Sequence, residues 1–373
     1  RESSTIEQIS TRIERHGISH SEVKRILSDF LKRKVLISDA GKYHCKVQLF
    51  ERWLIDEGIS QLALSLVEED NLRAEIEEEA RQRVKNHEIV ELVGNWGSYR
   101  GRHISDIQVR NWLDQFDTIS DRRLMFQLLS KLRFYSGGLI REKLRNCHES
   151  VIRELSARGV ASIIKNRRAR KSTENIIISY YGSEGKRGPT YAKLYVDENK
   201  IYSERLVSSD DIVQKLKTFD DIEGVVFVDD FIGTGESIDS NLIPILANIS
   251  DAVNSQEIDV FLVTISGFNE SKEKMKDNIS KIIDKFHIFI ADPLDDSDKC
   301  FSNSSLVFPD DSSRSRAKQI AQIHGNRLVK RNPLGYGDCE LAIVFEHTCP
   351  NNTLPILWAD GSEDEWHPLF PRP

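Results

Sequence analysis

The segment Val225–Ser237, VVFVDDFIGTGES, constrains the fold of this chain more than any other. Four consecutive apolar residues indicate a strand that is buried on both faces, as in a parallel sheet. Two carboxylates end that strand, a turn of small residues follows, and a helix is predicted to begin at Ser237. This order favours an open α/β sheet, in which ligands bind at the carboxyl ends of the strands.

The same pattern of apolar runs and helices continues from residue 175 onward. The apolar runs are Ile176–Tyr180, Val225–Val228, Val260–Ile265, Ile288–Ala291 and Leu341–Phe345. We therefore predict an α/β fold with a doubly wound, mostly parallel sheet. An added hairpin is predicted from the runs Ala192–Val196 and Lys200–Leu206.

The turn after the two carboxylates suits a phosphate group. Gly233 and Gly235 let the backbone approach a ligand closely, and Thr234 and Ser237 add hydroxyl donors. The following helix N-terminus offers free backbone N–H groups and the positive end of a helix dipole. Glu236 would repel a phosphate, so we expect its side chain to point away.

Asp229 and Asp230 suit a ribose diol, whose two hydroxyls can each donate a hydrogen bond to a carboxylate. Diol-binding acids beside a phosphate turn resemble the signature of type I phosphoribosyltransferases over thirteen positions, Val225–Ser237. Glu236 departs from that signature, in which a small or hydroxyl residue is commoner. The alternative is an ordinary strand–turn–helix connection with acids that only aid solubility.

The resemblance implies roles for these residues around phosphoribosyl pyrophosphate (PRPP). Asp229 and Asp230 would be the catalytic residues that bind the ribose 2- and 3-hydroxyls. The 5-phosphate would bind to Gly233, Thr234, Gly235, Glu236 and Ser237. Mg²⁺ would arrive with PRPP and be held by the pyrophosphate and the ribose hydroxyls, without a direct protein ligand.

A pyrophosphate-binding loop is expected after the first core strand. Five residues there suit a pyrophosphate, because glycine exposes backbone and cations bind phosphate oxygens: Tyr181, Gly182, Ser183, Lys186 and Arg187. The alternative is a polar surface loop. For the acceptor, the candidates are Tyr336, His347 and Trp358, which can stack on a base or only pack within the protein.

Residues 105–373 resemble the phosphoribosyltransferase-like domain of prokaryotic conflict and antiphage systems, including those of some retrons. Three segments carry the resemblance: Trp112–Phe116 (WLDQF), Val225–Ser237, and Cys339–Trp358, which contains Pro350-Asn351-Asn352. It implies a defence effector that transfers ribose 5-phosphate to or from a base- or nucleotide-like acceptor. A non-catalytic sensor of PRPP or a ribonucleotide is the alternative.

Residues 1–58 predict a winged-helix domain, with two helices, a hairpin of Val35–Ile37 and Tyr43–Val47, and a helix at Leu49–Glu57. Gly41–Leu54 resembles the winged helix that follows AAA-type and STAND-type ATPase modules, which implies an ATPase partner upstream. The chain begins at Arg1 and lacks the usual first helix, so we expect it to be part of a longer protein. Residues 59–104 are predicted to be a helical linker that ends near Gly94–Gly101.

Lys24, Arg25, Lys32 and Arg33 lie on or just after the second predicted helix, where a recognition helix would contact DNA. A DNA-binding regulator is therefore a third hypothesis. Acidic residues interrupt this patch, and a module that docks on another protein is the alternative.

The overall charge of −7 argues against a chain that mainly coats nucleic acid. Hydrophobic residues make up 39% of the 373 residues, enough for two or three domains with cores. No apolar run approaches the roughly 18 residues that span a bilayer. Five scattered cysteines suggest neither disulfides nor a zinc site. We expect a cytoplasmic protein that acts in an oligomer or a larger complex.

Overall fold

A computed structural model describes residues 4–13, 19–47, 52, 78–163, 175–182, 188–219, 222–361 and 366–372. The chain divides into two compact units, Arg1–Glu88 and Ile89–Pro373. Among the described residues, no helix combines the length and the apolar character that a membrane crossing needs.

The described residues between positions 4 and 47 of the first unit form two helices and a small antiparallel sheet. The strands β1 (Ser4–Thr5), β2 (Leu36–Asp39) and β3 (Lys42–Cys45) are ordered β1–β3–β2. The helices are α1 (Ile6–Ile13) and α2 (His20–Lys32). Both helices and the hairpin thus lie close to the positions that the sequence pattern predicts.

Two features of this unit differ from the sequence expectations or lie beyond what is described. The β1 strand, which pairs Ser4 with Tyr43, was not predicted. The predicted helix Leu49–Glu57 lies outside the described residues except for Arg52. The interpretation of residues 1–58 as a winged helix therefore stays a prediction.

From residue 86 onward the chain alternates helices with strands. The helices are α3 (Asn86–Gly94), α4 (Asp106–Leu113), α5 (Ile119–Ser130), α6 (Gly137–Ile163), α7 (Gly188–Glu198), α8 (Ile212–Thr218), α9 (Ile243–Ser255), α10 (Asn269–Ile279), α11 (Asp311–Leu328) and α12 (Pro355–Trp358). The strands are β4 (Ser98–Tyr99), β5 (Arg102–His103), β6 (Arg133–Tyr135), β7 (Ile176–Ser179), β8 (Gly224–Ile232), β9 (Asp259–Phe268), β10 (Phe286–Leu294) and β11 (Ile343–Phe345).

The core of the second unit is a parallel sheet of four strands in the order β10–β9–β8–β7. Helices cover both faces: α6 and α7 pack on one side, and α8, α9 and α10 pack on the other. Every residue of β9 is buried, which explains why its run Val260–Val263 is apolar without alternation. The prediction of an α/β fold with a mostly parallel sheet is confirmed.

A reversal of strand order occurs at the edge strand β7. Leu206 forms a parallel bridge to Ile178, and the Val207 N–H donates to the Ile178 carbonyl over 2.9 Å. The chain therefore passes from β7 to a short neighbour on one side and returns to β8 on the other. Such a switch point opens a crevice at the carboxyl ends of the two adjacent strands, β7 and β8.

The hairpin predicted at Ala192–Val196 and Lys200–Leu206 is wrong. The first half lies in the helix α7, where Tyr191, Ala192, Tyr195 and Val196 are buried at helical spacing. The second half contributes a 3₁₀ turn and the single bridge at Leu206. Aromatic and β-branched residues favour strands, but burial on one side of a helix outweighs that preference here.

The apolar run Leu341–Phe345 contains a strand, β11, but that strand does not join the four-stranded sheet. It pairs in parallel with β6 in a separate two-stranded sheet, in which Phe345 stacks on Tyr135 with ring centroids 4.7 Å apart. A short apolar run identifies a buried strand without identifying its partner.

The segment Gly94–Gly101, expected to belong to a linker, is packed within the second unit. Trp96 and Tyr99 are buried, and both make edge-to-face contacts with Phe370. The Tyr99 hydroxyl also donates to the Pro371 carbonyl over 2.8 Å. The apolar C-terminal tail therefore docks on this segment of the second unit.

Candidate functional site

Two neighbouring carboxylates lie at the carboxyl end of β8. Val225–Val228 are fully buried and fix this part of the strand in the core. Asp229 and Asp230 continue the same strand, so that their side chains leave it on opposite faces. Asp229 is partly exposed to a cavity, whereas Asp230 is only 6% exposed.

The end of β7 meets these acids from the adjacent strand. Tyr181 follows β7, is buried, and donates its hydroxyl to the Asp229 carboxylate. The Asp230 N–H donates to Asp229 Oδ1 over 2.9 Å. Both oxygens of Asp229 therefore accept a hydrogen bond, which fixes the plane of this carboxylate.

The electrostatics of the pair are unusual for surface acids. Burial, together with the nearby charge of Asp230, raises the pKa of Asp229 to about 8. Burial and the Asp229 carboxylate also raise the pKa of Tyr181 well above its ordinary value. Near neutral pH the two acids thus carry closer to one negative charge than two, and a ligand that supplies hydrogen-bond donors or positive charge would relieve this crowding.

The turn after β8 is compact and depends on its two glycines. Gly235 has a φ of 91°, which favours glycine, and the Ile238 N–H closes the turn onto the Gly235 carbonyl over 2.9 Å. A Cβ at Gly233 would collide with the Asn352 side chain. Helical residues begin at Glu236, so the turn runs into the start of a helical segment, where free N–H groups attract anions.

One cavity of about 480 Å³ joins these groups. On one side lies the sheet wall, defined as Tyr181, Gly182, Asp229, Asp230 and the turn of residues 233–237. On the other side lies the C-terminal wall, defined as Tyr336, Pro350, Asn351, Asn352 and Arg372. Gly188, Phe231, Ile232, Ile238 and Asn241 complete the described lining. The volume lies within the usual range for small-molecule sites.

Most of the predicted site residues lie together. Asp229, Asp230, Gly233, Thr234, Gly235, Ser237, Tyr181, Gly182 and Tyr336 all line the cavity. Glu236 does not line it, and its carboxylate accepts a hydrogen bond from the Tyr336 hydroxyl. Ser183, Lys186 and Arg187 fall outside the described residues.

Two of the three acceptor candidates lie elsewhere. His347 is exposed in the turn after β11, and it does not line the cavity. The Trp358 indole N–H donates to the Thr353 carbonyl over 2.8 Å, and the ring lies under the Arg372 guanidinium, 4.9 Å from it. Trp358 therefore supports a cavity residue but does not itself line the cavity.

Arg372 and the asparagines of the C-terminal wall were not predicted as site residues. Arg372 reaches the cavity because Leu369 and Phe370, just before it, are buried, and because the Phe370 N–H donates to the Leu357 carbonyl over 2.9 Å. The apolar tail was the sequence signal that could have located Arg372. Asn351 and Asn352 were noted only as part of a resemblance.

The four predicted DNA-binding residues are exposed on the first unit. Lys24, Arg25 and Lys32 lie on α2, and Arg33 follows it and pairs with Asp29 over 2.9 Å. Their exposure is compatible with a nucleic acid but equally with solvent, so this assignment stays a prediction.

No cluster of three or more His, Cys, Asp or Glu side chains that could hold a metal occurs among the described residues. The oxygen donors of Asp229 and Asp230 are chemically suited to a hard cation such as Mg²⁺ in their vicinity. A cation that entered with a phosphate ligand would meet these two acids.

A parallel α/β sheet with acids and a phosphate-type turn at its switch point defines a phosphoribosyltransferase-like domain. The chain belongs to the PRTase-CE family, whose model matches residues 109–372. Among curated proteins and among solved structures, none matches the chain significantly.

Proposed function

We propose that this chain is a PRPP-dependent phosphoribosyltransferase that acts as an effector in antiphage defence. It would transfer ribose 5-phosphate to a base- or nucleotide-like acceptor. The observation that carries the proposal is the single cavity in which Asp229 and Asp230 lie beside the turn of residues 233–237. Family membership supports the phosphoribosyltransferase class.

In this proposal, the residues of the sheet wall would orient a bound PRPP molecule. The 5-phosphate would accept hydrogen bonds from the backbone N–H groups of the turn and from the Thr234 and Ser237 hydroxyls. The ribose would lie over β8, with its 2- and 3-hydroxyls donating to Asp229 and Asp230. The pyrophosphate would then lie toward Tyr181 and Gly182, at the end of β7.

The reaction breaks the bond between ribose C1 and the pyrophosphate oxygen and forms a bond from C1 to the acceptor. Positive charge develops on the ring as the bond breaks, and the acid pair below the ribose would stabilise it. Mg²⁺ bound with PRPP would neutralise part of the charge on the departing pyrophosphate. The two walls would exclude water, which would otherwise hydrolyse the sugar.

The C-terminal wall would contact the acceptor. It presents the Asn351 side chain and the Arg372 guanidinium to the cavity. Amide and guanidinium groups can hydrogen-bond to the edge of a base or to an anionic substituent. This wall is therefore the place where the identity of the acceptor would be determined.

A pyrophosphate-release assay tests the proposal directly. Purified protein with PRPP, Mg²⁺ and a panel of bases and nucleotides should release pyrophosphate. The double substitution Asp229→Asn and Asp230→Asn should lower the rate at least about 100-fold, because it removes the negative charge that would stabilise the positive ring and weakens the hydrogen bonds from the ribose hydroxyls. A matched double control is Asp210→Asn with Asp239→Asn, two exposed acids that do not line the cavity.

Retention of full activity by the Asp229/Asp230 variant would show that the acids are wrongly assigned. Saturable binding of PRPP without pyrophosphate release, whatever the acceptor, would instead favour the sensor hypothesis. Both outcomes can be read from the same preparation of protein.

A further inference from the structure

Glu236 creates an electrostatic problem for a phosphate at the turn of residues 233–237. It occupies the fourth position of that turn, between Gly235 and Ser237, both of which line the cavity. A carboxylate only a few ångströms from a phosphate dianion would weaken binding by direct repulsion. A protein that uses this turn for phosphate therefore needs a means of holding the Glu236 side chain elsewhere.

The C-terminal wall supplies such a contact. The Tyr336 hydroxyl donates a hydrogen bond to Glu236 Oε2. The same contact raises the pKa of Tyr336 above its ordinary value. The contact joins residues 100 positions apart, so it exists only when the two walls are assembled.

The backbone of Tyr336 is itself fixed on both sides. Its N–H donates to the Asn351 carbonyl over 2.8 Å, and its carbonyl accepts from Asn352 Nδ2 over 3.0 Å. The Asn352 side chain also contacts Gly233 so closely that a Cβ there would collide with it. One asparagine therefore touches both the phosphate turn and the residue that holds Glu236.

Glycines on either side of Tyr336 allow the close approach. Gly337 has a φ of 66°, and a Cβ there would collide with Thr234 Cγ2. Gly335 has a φ of 92°, and a Cβ there would collide with the Asn352 carbonyl oxygen. The tripeptide Gly335-Tyr336-Gly337 is thus seated directly on the turn.

We propose that Tyr336 is a positioning residue for the phosphate site, which holds the Glu236 carboxylate away from the bound phosphate. The inference rests on the proposed function of the cavity, and it assigns Tyr336 a role other than acceptor binding. The Glu236 side chain would compete with the ligand for the turn when the hydroxyl is removed. Tyr336 would then matter only while residue 236 carries a charge.

A double-mutant cycle tests this dependence. The dissociation constant of PRPP with Mg²⁺ would be measured by calorimetry, without acceptor, for the wild type, Tyr336→Phe, Glu236→Gln and the double variant. Tyr336→Phe should weaken PRPP binding about 5- to 10-fold, as expected for the loss of one charge-assisted hydrogen bond. In the Glu236→Gln background the same substitution should change affinity less than about twofold.

Two further measurements separate this role from general damage. Pyrophosphate with Mg²⁺, which has no 5-phosphate, should bind equally to the wild type and to Tyr336→Phe. Tyr202→Phe, at a tyrosine that is 61% exposed and does not line the cavity, should leave PRPP affinity unchanged.

Equal losses from Tyr336→Phe with and without the Glu236 charge would overturn the inference, because Tyr336 would then act only through packing. An unchanged affinity in the single variant would overturn it as well. If the wild type bound no PRPP, the function proposed for the cavity would itself be wrong. The wild-type titration therefore distinguishes the two failures.

Discussion

The two walls of the cavity are built in opposite ways. The sheet wall comes from the end of strand β8 and from residues that follow β7 and β8, so its acids and its glycine turn are local extensions of the core. The C-terminal wall comes from three separate places in the sequence, at Tyr336, at Pro350–Asn352 and at Arg372. Hydrogen bonds and glycine contacts, rather than strands, hold these places together.

The difference indicates a division of labour between the walls. The sheet wall carries the groups that would bind ribose phosphate in the proposed function, and strand β8 holds its two acids in a fixed arrangement. The C-terminal wall comes from loops that pack against the turn of the sheet wall. We therefore expect the sheet wall to bind the PRPP donor and the C-terminal wall to select the acceptor.

The largest effect should come from a substitution that separates the walls. Gly335→Ala adds a Cβ that collides with the Asn352 carbonyl oxygen at a φ of 92°. The free energy of unfolding should fall by about 3 kcal/mol, since backbone strain adds to the collision. PRPP affinity should fall more than about 10-fold, because Asn352 also contacts the phosphate turn. Urea unfolding and calorimetry measure the two effects.

Gly101→Ala is the matched control for this substitution. Gly101 also has a positive φ, 76°, but a Cβ there meets no atom within 4 Å. Only the conformational strain remains, so the loss should be about 1 kcal/mol and PRPP affinity should not change. If both variants behaved alike, the C-terminal wall would not be a fixed part of the site.

The sequence allowed the residues of the sheet wall to be predicted, but of the C-terminal wall it identified only Tyr336 as a site candidate. Val225–Val228 are apolar without alternation, and the acids and glycines follow at once, so strand, turn and ligand chemistry can be read from a single segment. The contact between Tyr336 and Glu236 depends instead on how distant loops pack. Neither periodicity nor local composition carries that information.

The same distinction explains the errors in the fold. The four strands of the main sheet were predicted because burial on both faces leaves a continuous apolar run. Ala192–Val196, which lies within helix α7, was predicted as the first strand of a hairpin because Tyr195 and Val196 favour strands individually, although the buried residues of α7 have helical spacing. Strand β11 pairs with β6 although the paired residues Arg133 and Ile343 lie 210 positions apart in the chain. No local sequence pattern indicates a pairing over such a separation.

The charge of Asp229 in the sheet wall should make the stability of the protein depend on pH. The folded-state pKa of Asp229 is about 8, well above its usual value of 3.8, so the folded protein retains a proton that the unfolded chain releases. The cost of ionising Asp229 therefore grows as pH rises from about 4 and is fully present above about 8. Asp229→Asn should raise the free energy of unfolding by on the order of 2 kcal/mol at pH 8.5, and by almost nothing near pH 4.

Asp310→Asn is a control of opposite sign. Hydrogen bonds from Ser313 and Ser312 lower the pKa of Asp310, the N-cap of α11, to about 2. Its carboxylate stabilises the fold above the unfolded pKa, and this contribution disappears as pH falls through about 2. The variant should therefore be less stable than the wild type at pH 7 and equal to it at pH 2. Thermal melts across pH would reveal the two opposite trends, and parallel trends would contradict the pKa assigned to Asp229.

The smallest effect should come from the charge of the C-terminal wall. Arg372→Gln removes the guanidinium that lies over Trp358 and lines the cavity, while Phe370 still anchors the tail. An anionic ligand in the cavity should lose about 1 kcal/mol, or roughly 5-fold in affinity, at low salt, and less at high salt. Calorimetric titration of PRPP with Mg²⁺ at two salt concentrations measures this loss.

Lys330→Gln removes the same charge from an exposed residue that does not line the cavity. It should leave PRPP affinity within about twofold of the wild type, because solvent and salt screen a distant surface charge. Equal losses in the two variants would mean that Arg372 acts through the net charge of the protein alone. A loss of PRPP affinity confined to Arg372→Gln would place its guanidinium within reach of the ligand. The C-terminal wall would then select ligands by their charge as well as by their shape.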